Sequence, residues 1–254
     1  MTGAGRISVV VPAYNEEERL VSSLERIYKY FRQAGHEYEL IVVNDGSRDR
    51  TAASAREWKP PDCPLTVIDR GVNRGKGFSV REGVQRASGD WIFFSDADLS
   101  TPIDEIESFL PRLAAGAEVV IGSRNLPSSR LEVRQPWYRQ IMGKVFNLLV
   151  RVLAVSGVRD TQCGFKAFSR RAAELLFSRA RIDGFGFDVE ILYLARKYRL
   201  KIEEMPVRWI NSPRSTVDPI KDSLRMLKDI FRVRRDDRRG LYDSSRAAAA
   251  QSGR

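Results

Sequence analysis

The stretch Trp91-Ile92-Phe93-Phe94-Ser95-Asp96-Ala97-Asp98 runs from four apolar residues into a pair of carboxylates. A short apolar run bounded by polar residues reads as a buried strand. At the end of such a strand the chain turns, and Asp96 and Asp98 can converge on one point. Hard oxygen ligands with open positions suit Mg²⁺ or Mn²⁺ held jointly with phosphate oxygens. A solvated loop after a strand would have the same local composition, so the neighbouring sequence decides between the two.

Upstream, strand and helix patterns alternate. Ile7 to Val11 reads as a strand, and Asn15 with Glu18 three residues later predicts a capping box. Leu20, Leu24, Ile27, Tyr28 and Phe31 then give a helix one apolar face. Leu40–Val43 and Leu65–Ile68 read as strands, with a short helix over 49–58 between them. Gly77 to Ala87 is expected to be helical before the strand at Trp91. Downstream, Pro102 opens a helix over 103–115, and Glu118 to Ile121 forms the next strand. Alternation with short links predicts an α/β fold: a mostly parallel sheet with helices on both faces. In such sheets ligands bind beyond the carboxyl ends of the strands. The residues found there are Pro12 to Glu16, Asn44 to Ser47, Asp69-Arg70, Asp96 to Asp98 and Gly122 to Arg124.

The second half is less regular. Tyr138 to Val155 reads as a long helix carrying both apolar and basic residues, and Cys163 to Phe168 as a candidate strand. Phe187 to Tyr198 reads as a helix and Ile202 to Trp209 as extended. Pro219 to Arg235 reads as a basic amphipathic helix with Ile220, Leu224, Leu227, Ile230 and Phe231 on one face. From 240 to 254 the composition predicts a disordered tail. The expected organisation is one domain over 1–235, in two halves, 6–122 and 123–235.

The 254 residues carry a formal net charge of +10. Gly122 to Arg151 and Arg208 to Arg239 each contribute +5, so the rest is near neutral. Localised basic charge points to phosphates on lipid, substrate or nucleic acid. Two distant cysteines and a single histidine, His36, argue against zinc or Ser-His-Asp chemistry. No signal peptide is visible, and no apolar stretch reaches the roughly 18 residues of a spanning helix. Gly71 to Gly77 fails as a P-loop because its first glycine is one residue too close and Gly77 stands where Ser or Thr is required. No GxGxxG follows the first strand. Gly75-Lys76-Gly77 still suits close backbone approach to a phosphate, with Lys76 as a point charge.

These motifs resemble the family 2 glycosyltransferases of the GT-A fold. The likeness rests on Val10 to Glu16, Val43 to Ser47, Asp96-Ala97-Asp98, Gly122 to Arg124, Asp160 to Lys166 and Phe187 to Glu190. It spans roughly residues 6–235 and implies that the domain over 1–235 is catalytic, its 6–122 half binding a nucleotide-sugar and its 123–235 half facing acceptor and membrane. Asn73 to Gly77 and Thr161 to Lys166 look most like dolichyl-phosphate β-glucosyltransferases and polyprenyl-phosphate relatives; dolichol-phosphate mannose synthases, using GDP-mannose, are near alternatives. The resemblance implies that Pro12, Ala13, Tyr14 and Glu16 line the base and ribose pocket and that Asp45 reads the base edge. Asp96 and Ala97 would lie near the ribose, Asp96 with Asp98 would serve the Mg²⁺ or Mn²⁺, which Asp98 would ligate through the diphosphate, and Lys76 would contact the nucleotide-sugar. Arg124 and Arg139 would grip diphosphate or acceptor phosphate, and Asp188 with Glu190 would orient a sugar or a basic residue. The expected partners are a UDP-sugar, a polyprenyl or dolichyl phosphate and a membrane surface, with no nucleic acid. The expected location is peripheral, on the cytoplasmic face of a membrane. A non-catalytic membrane-surface protein of the same fold is the competing class.

Overall fold

Every residue of β1 (Ile7–Ala13) is buried, as its continuous apolar run requires of a strand covered on both faces. It pairs in parallel with β2 (Tyr38–Asn44) on one side and with β4 (Trp91–Ser95) on the other. β3 (Leu65–Asp69) extends the sheet beyond β2, again in parallel. The computed structural model describes residues 5–131, 150, 154–155, 157–210 and 219–243.

β5 (Val119–Ser123) pairs in parallel with β8 (Ile202–Pro206). Between β4 and β5 lies β7 (Phe165–Ser169), antiparallel to both. The seven-stranded order is therefore β3-β2-β1-β4-β7-β5-β8. The short strands β6 (Arg130–Leu131) and β9 (Arg208–Trp209) form a separate parallel pair. The second half of the chain thus places strands inside the sheet as well as elements around it.

Alternate strand residues point to opposite faces. Val9, Val11, Val42, Phe93 and Val120 pack against α1 (Leu20–Ala34), α2 (Thr51–Glu57) and α4 (Ile106–Ala114). Val10, Ile41, Val43, Phe94 and Ile121 pack against α3 (Lys76–Arg86), α5 (Arg170–Phe177), α6 (Phe187–Lys197) and α7 (Pro219–Arg238). The α/β architecture read from the sequence is the one observed.

Three local expectations change. α1 begins at Leu20 and has no side-chain cap. Asn15 instead takes a left-handed φ of 55°; its Oδ1 accepts from the Arg48 N–H, and its own N–H donates to Ser47 Oγ. The polar side chain is used to join the β1 and β2 loops rather than to start a helix. α7 turns a different stripe inward: Met226, Ile230 and Val233 are buried, while Leu224 and Phe231 face solvent. The first residues of the expected tail are ordered. Leu241 to Asp243 fold back on the protein, and Tyr242 is fully buried with its hydroxyl donating to Glu190. The helix expected over 138–155 lies largely outside the described residues, as do Arg139 and residues 244–254. Among the described residues no helix is long and apolar enough to cross a membrane.

Candidate active site

The direction of the chain leaving the sheet reverses between β1 and β4, and a crevice opens beyond their carboxyl ends. A cavity of ≈ 680 Å³ lies there. Pro12, Ala13, Tyr14 and Glu16 line it from β1, Asp45 from β2, Asp96 to Asp98 from β4, and Gly75 and Lys76 from the start of α3. The structure therefore gathers the expected donor-binding residues into one site.

Each carboxylate is held by a specific partner. Asp45, 3% exposed, accepts the backbone N–H groups of Arg74 and Gly75 at 2.8 and 2.7 Å and also pairs with Arg70. It ties the Asn73–Lys76 loop to the end of β2 besides facing the cavity. Asp96 donates its N–H to the Gly164 carbonyl, and its carboxylate meets Lys76 Nζ at 2.6 Å. Asp98 Oδ1 accepts the Ser100 N–H at 2.9 Å. The turn closes through Leu99, whose φ of 47° is uncommon for a leucine. Backbone strain of this kind tends to accompany functional turns.

Behind the turn, Asp160 to Lys166 builds the supporting wall. Lys166 Nζ, buried, bonds the Cys163 carbonyl and Asp188 Oδ1, each at 2.6 Å. Asp188 is buried beneath the site rather than lining it. Burial pushes its carboxyl pKa up, against the opposing charges of Lys166 and Lys76. Burial likewise works to lower the Lys76 ammonium, but Asp96 and then Asp188 more than offset it and its pKa rises. Arg124 is turned to Asp160 in a two-pronged pair at 2.7 and 2.9 Å and stacks near Trp209. Arg124 is not among the residues that line the cavity, and its contacts in the structure are with Asp160 and Trp209. Glu190 is also buried; it accepts the Arg181 and Ile182 N–H groups and so shapes the turn that follows.

That turn carries residues that motif reading did not single out. Asp183, Gly184 and Phe185 line the cavity, as do Arg19 of the β1–α1 connection and Arg225, Met226, Asp229 and Arg232 of α7. The hydrogen bond to Glu16 raises the Arg19 pKa, burial works against it, and Asp98 and Asp96 add to the rise. The available signals were weak: a glycine pair at 184 and 186, and arginines seven apart on a helix.

Among the described residues no three His, Cys, Asp or Glu side chains cluster as a self-sufficient metal cage. Asp96 and Asp98 nevertheless supply two hard oxygen donors at the cavity wall. Such a set fits Mg²⁺ or Mn²⁺ whose remaining ligands are phosphate oxygens and water.

The profile of Glycosyl transferase family 2 matches residues 8–177. Dolichyl-phosphate beta-glucosyltransferase of Dictyostelium discoideum is 36% identical over 240 residues, covering 90% of this chain and 73% of that protein. The Drosophila melanogaster protein of the same name is 39% identical, covering 89% and 74%; the Homo sapiens one is 35% identical, covering 90% and 75%. Among solved structures, glucosyl-3-phosphoglycerate synthase of Mycobacterium tuberculosis in complex with Mn²⁺ and UDP-glucose superposes with a TM-score of 0.64 at 22% identity, covering 89% and 78%. Mannosyl-3-phosphoglycerate synthase of Rubrobacter xylanophilus gives 0.66 at 19%, covering 93% and 75%. These two likenesses establish the fold. With the cavity at the sheet's carboxyl edge and the Asp96–Asp98 turn in its wall, the chain belongs to glycosyl transferase family 2, among the relatives of the dolichyl-phosphate β-glucosyltransferases.

Proposed function

We propose that this glycosyltransferase moves glucose from UDP-glucose to a polyprenyl monophosphate of the dolichyl class, with inversion at the anomeric carbon. The observation that carries the reading is identity of 35–39% to three dolichyl-phosphate β-glucosyltransferases over about nine-tenths of the chain. In the reaction an acceptor phosphate oxygen bonds to the anomeric carbon, and the bond from that carbon to the UDP oxygen breaks. UDP leaves with the electron pair.

The chain's residues suit this chemistry. A phosphomonoester has its second pKa near 6, so the acceptor is already largely dianionic and needs no strong base. His36 is accordingly remote, paired with Glu107 beside α1. Asp45 and the loop it holds shape the nucleotide end of the cavity. Lys76 stands ready to offset diphosphate charge, with Asp188 and Lys166 as its buried support. Asp96 and Asp98 would hold Mg²⁺ or Mn²⁺, which would neutralise charge developing on the departing diphosphate. A divalent ion is supported by the Mn²⁺ in the complex of the fold neighbour.

We propose that the enzyme works peripherally on the cytoplasmic face of a membrane, where it would meet a lipid acceptor. The basic residues of α7 support this, since each Lys or Arg near an anionic surface adds about 1 kcal/mol of attraction. Release of UDP from UDP-glucose, with and without farnesyl phosphate, tests the function; GDP-mannose as donor tests the alternative sugar. UDP release that farnesyl phosphate does not stimulate would overturn the acceptor. Sedimentation with anionic vesicles, lost at high salt, is the expected result for location.

A further inference from the structure

Helix α7 repeats one arrangement twice. Arg225 and Arg232 both line the cavity, and their spacing of seven places them on one helix face. The residue before each is a large apolar side chain turned to solvent: Leu224 is 57% exposed and Phe231 56%. Consecutive helical residues lie about 100° apart around the axis. Leu224 and Phe231 therefore stand beside the cavity-lining arginines on α7, turned to solvent. Phe185, 38% exposed, lines the cavity as well.

The exposure is not that of an unpacked helix. Met226, Ile230 and Val233 are buried in the core, so α7 has its own seated stripe. Single exposed apolar side chains are ordinary, but apolar exposure grouped beside one cavity is the kind that marks a ligand surface. Asp236 is the carboxylate shared by Arg181, Arg232 and Arg235, at 4.0, 3.6 and 3.4 Å. Asp229, which packs against Gly186 and accepts its N–H, also acts on Arg232 through its charge. Arg225 and Arg232 present two guanidinium groups to the cavity from one helix.

We propose that the cavity-facing edge of α7 is the acceptor subsite: Arg225 and Arg232 take the phosphate of a prenyl monophosphate, and Leu224, Phe231 and Phe185 take the first units of its chain. The assignment rests on the prenyl-phosphate reading above. It makes one helix responsible for both halves of an amphiphile, charged head inward and hydrocarbon along the outer edge. It also separates the roles of the walls, since donor residues come from the strand ends and acceptor residues from α7.

Steady-state kinetics with UDP-glucose and two acceptors test this on the full chain. One acceptor is farnesyl phosphate; the other is isopentenyl phosphate, with a single isoprene unit. Arg225→Gln and Arg232→Gln should each raise KM about tenfold for both acceptors, as loss of a charge-assisted contact does. Arg→Lys at either position should recover part of that loss. Leu224→Ser with Phe231→Ser should raise KM severalfold more for farnesyl phosphate than for isopentenyl phosphate, whose single unit meets only part of that apolar surface. UDP affinity by calorimetry should stay within about twofold in all variants, which a misfolded or distorted pocket would not allow. If the wild type transfers glucose and the variants keep wild-type acceptor KM, or lose UDP affinity in step, this assignment is overturned while the activity stands. If the arginine variants behave as expected but the serine variant affects both acceptors alike, the chain-binding role is overturned. No transfer by the wild type to either acceptor would overturn the underlying reading itself.

Discussion

Asp98→Asn keeps the side-chain oxygen that accepts the Ser100 N–H but removes the charge a divalent ion needs. The fold should therefore survive, with an unchanged thermal midpoint, while transfer falls on the order of a hundredfold. Calorimetric titration of Mn²⁺ into the UDP-loaded variant should show weakened metal binding; wild-type affinity there would remove Asp98 from the metal site. Asp45 differs, because its carboxylate has three structural partners as well as a place in the cavity wall. Asp45→Ala strands the buried Arg70 and two backbone donors. It should cost about 3 kcal/mol in denaturant unfolding and weaken UDP binding together. Loss of UDP affinity at full stability would mean that Asp45 serves the ligand alone.

At the scale of elements, Gly164 shows how the support wall works. A Cβ there would collide with the Asp96 carboxylate, not with the core. Gly164→Ala should push Asp96 off its Lys76 contact and lower kcat at least tenfold, while the unfolding midpoint changes little. Normal kcat would show that the wall does not position Asp96. The same region explains what could be read from sequence and what could not. β1, β2 and β4 were legible because continuous apolar runs ended by polar turns have few other uses in an alternating chain. The Asp96–Asp98 turn was legible for the same reason. β7 was recognisable as a strand, but its antiparallel insertion between β4 and β5 depends on long-range pairing that no local pattern encodes. The α7 stripe was misassigned because Leu224 and Phe231 satisfy helical periodicity as well as Met226 and Val233 do. Which stripe is buried is decided by α6 and Tyr242, far off in sequence. The Arg124–Asp160 pair was hidden from local pattern in the same way, since the two residues lie 36 apart.

For the whole molecule, that Arg124–Asp160 pair joins the end of β5 to the wall behind the active site, and it predicts acid behaviour. Burial alone would raise the Asp160 carboxyl, but Arg124 more than reverses this and holds it at about 2, below the ordinary 3.8. A depressed folded value contributes stability that is complete above the unfolded pKa and disappears as pH falls from about 4 to about 2. Asp160→Asn should therefore lower stability at neutral pH by about 3 kcal/mol and flatten the loss between those two pH values. Urea unfolding across that range measures both; an unchanged acid slope would contradict the assignment. If the cavity at the carboxyl edge of this sheet glucosylates a lipid phosphate, the product formed from UDP-glucose and farnesyl phosphate with a divalent metal shows it, identified by mass and by the proton coupling at the anomeric carbon. The expected product is farnesyl phosphoglucose with a β linkage, made by the wild type and nearly absent with Asp98→Asn. Free glucose alone, an α-linked product, or equal yield from the variant would contradict it.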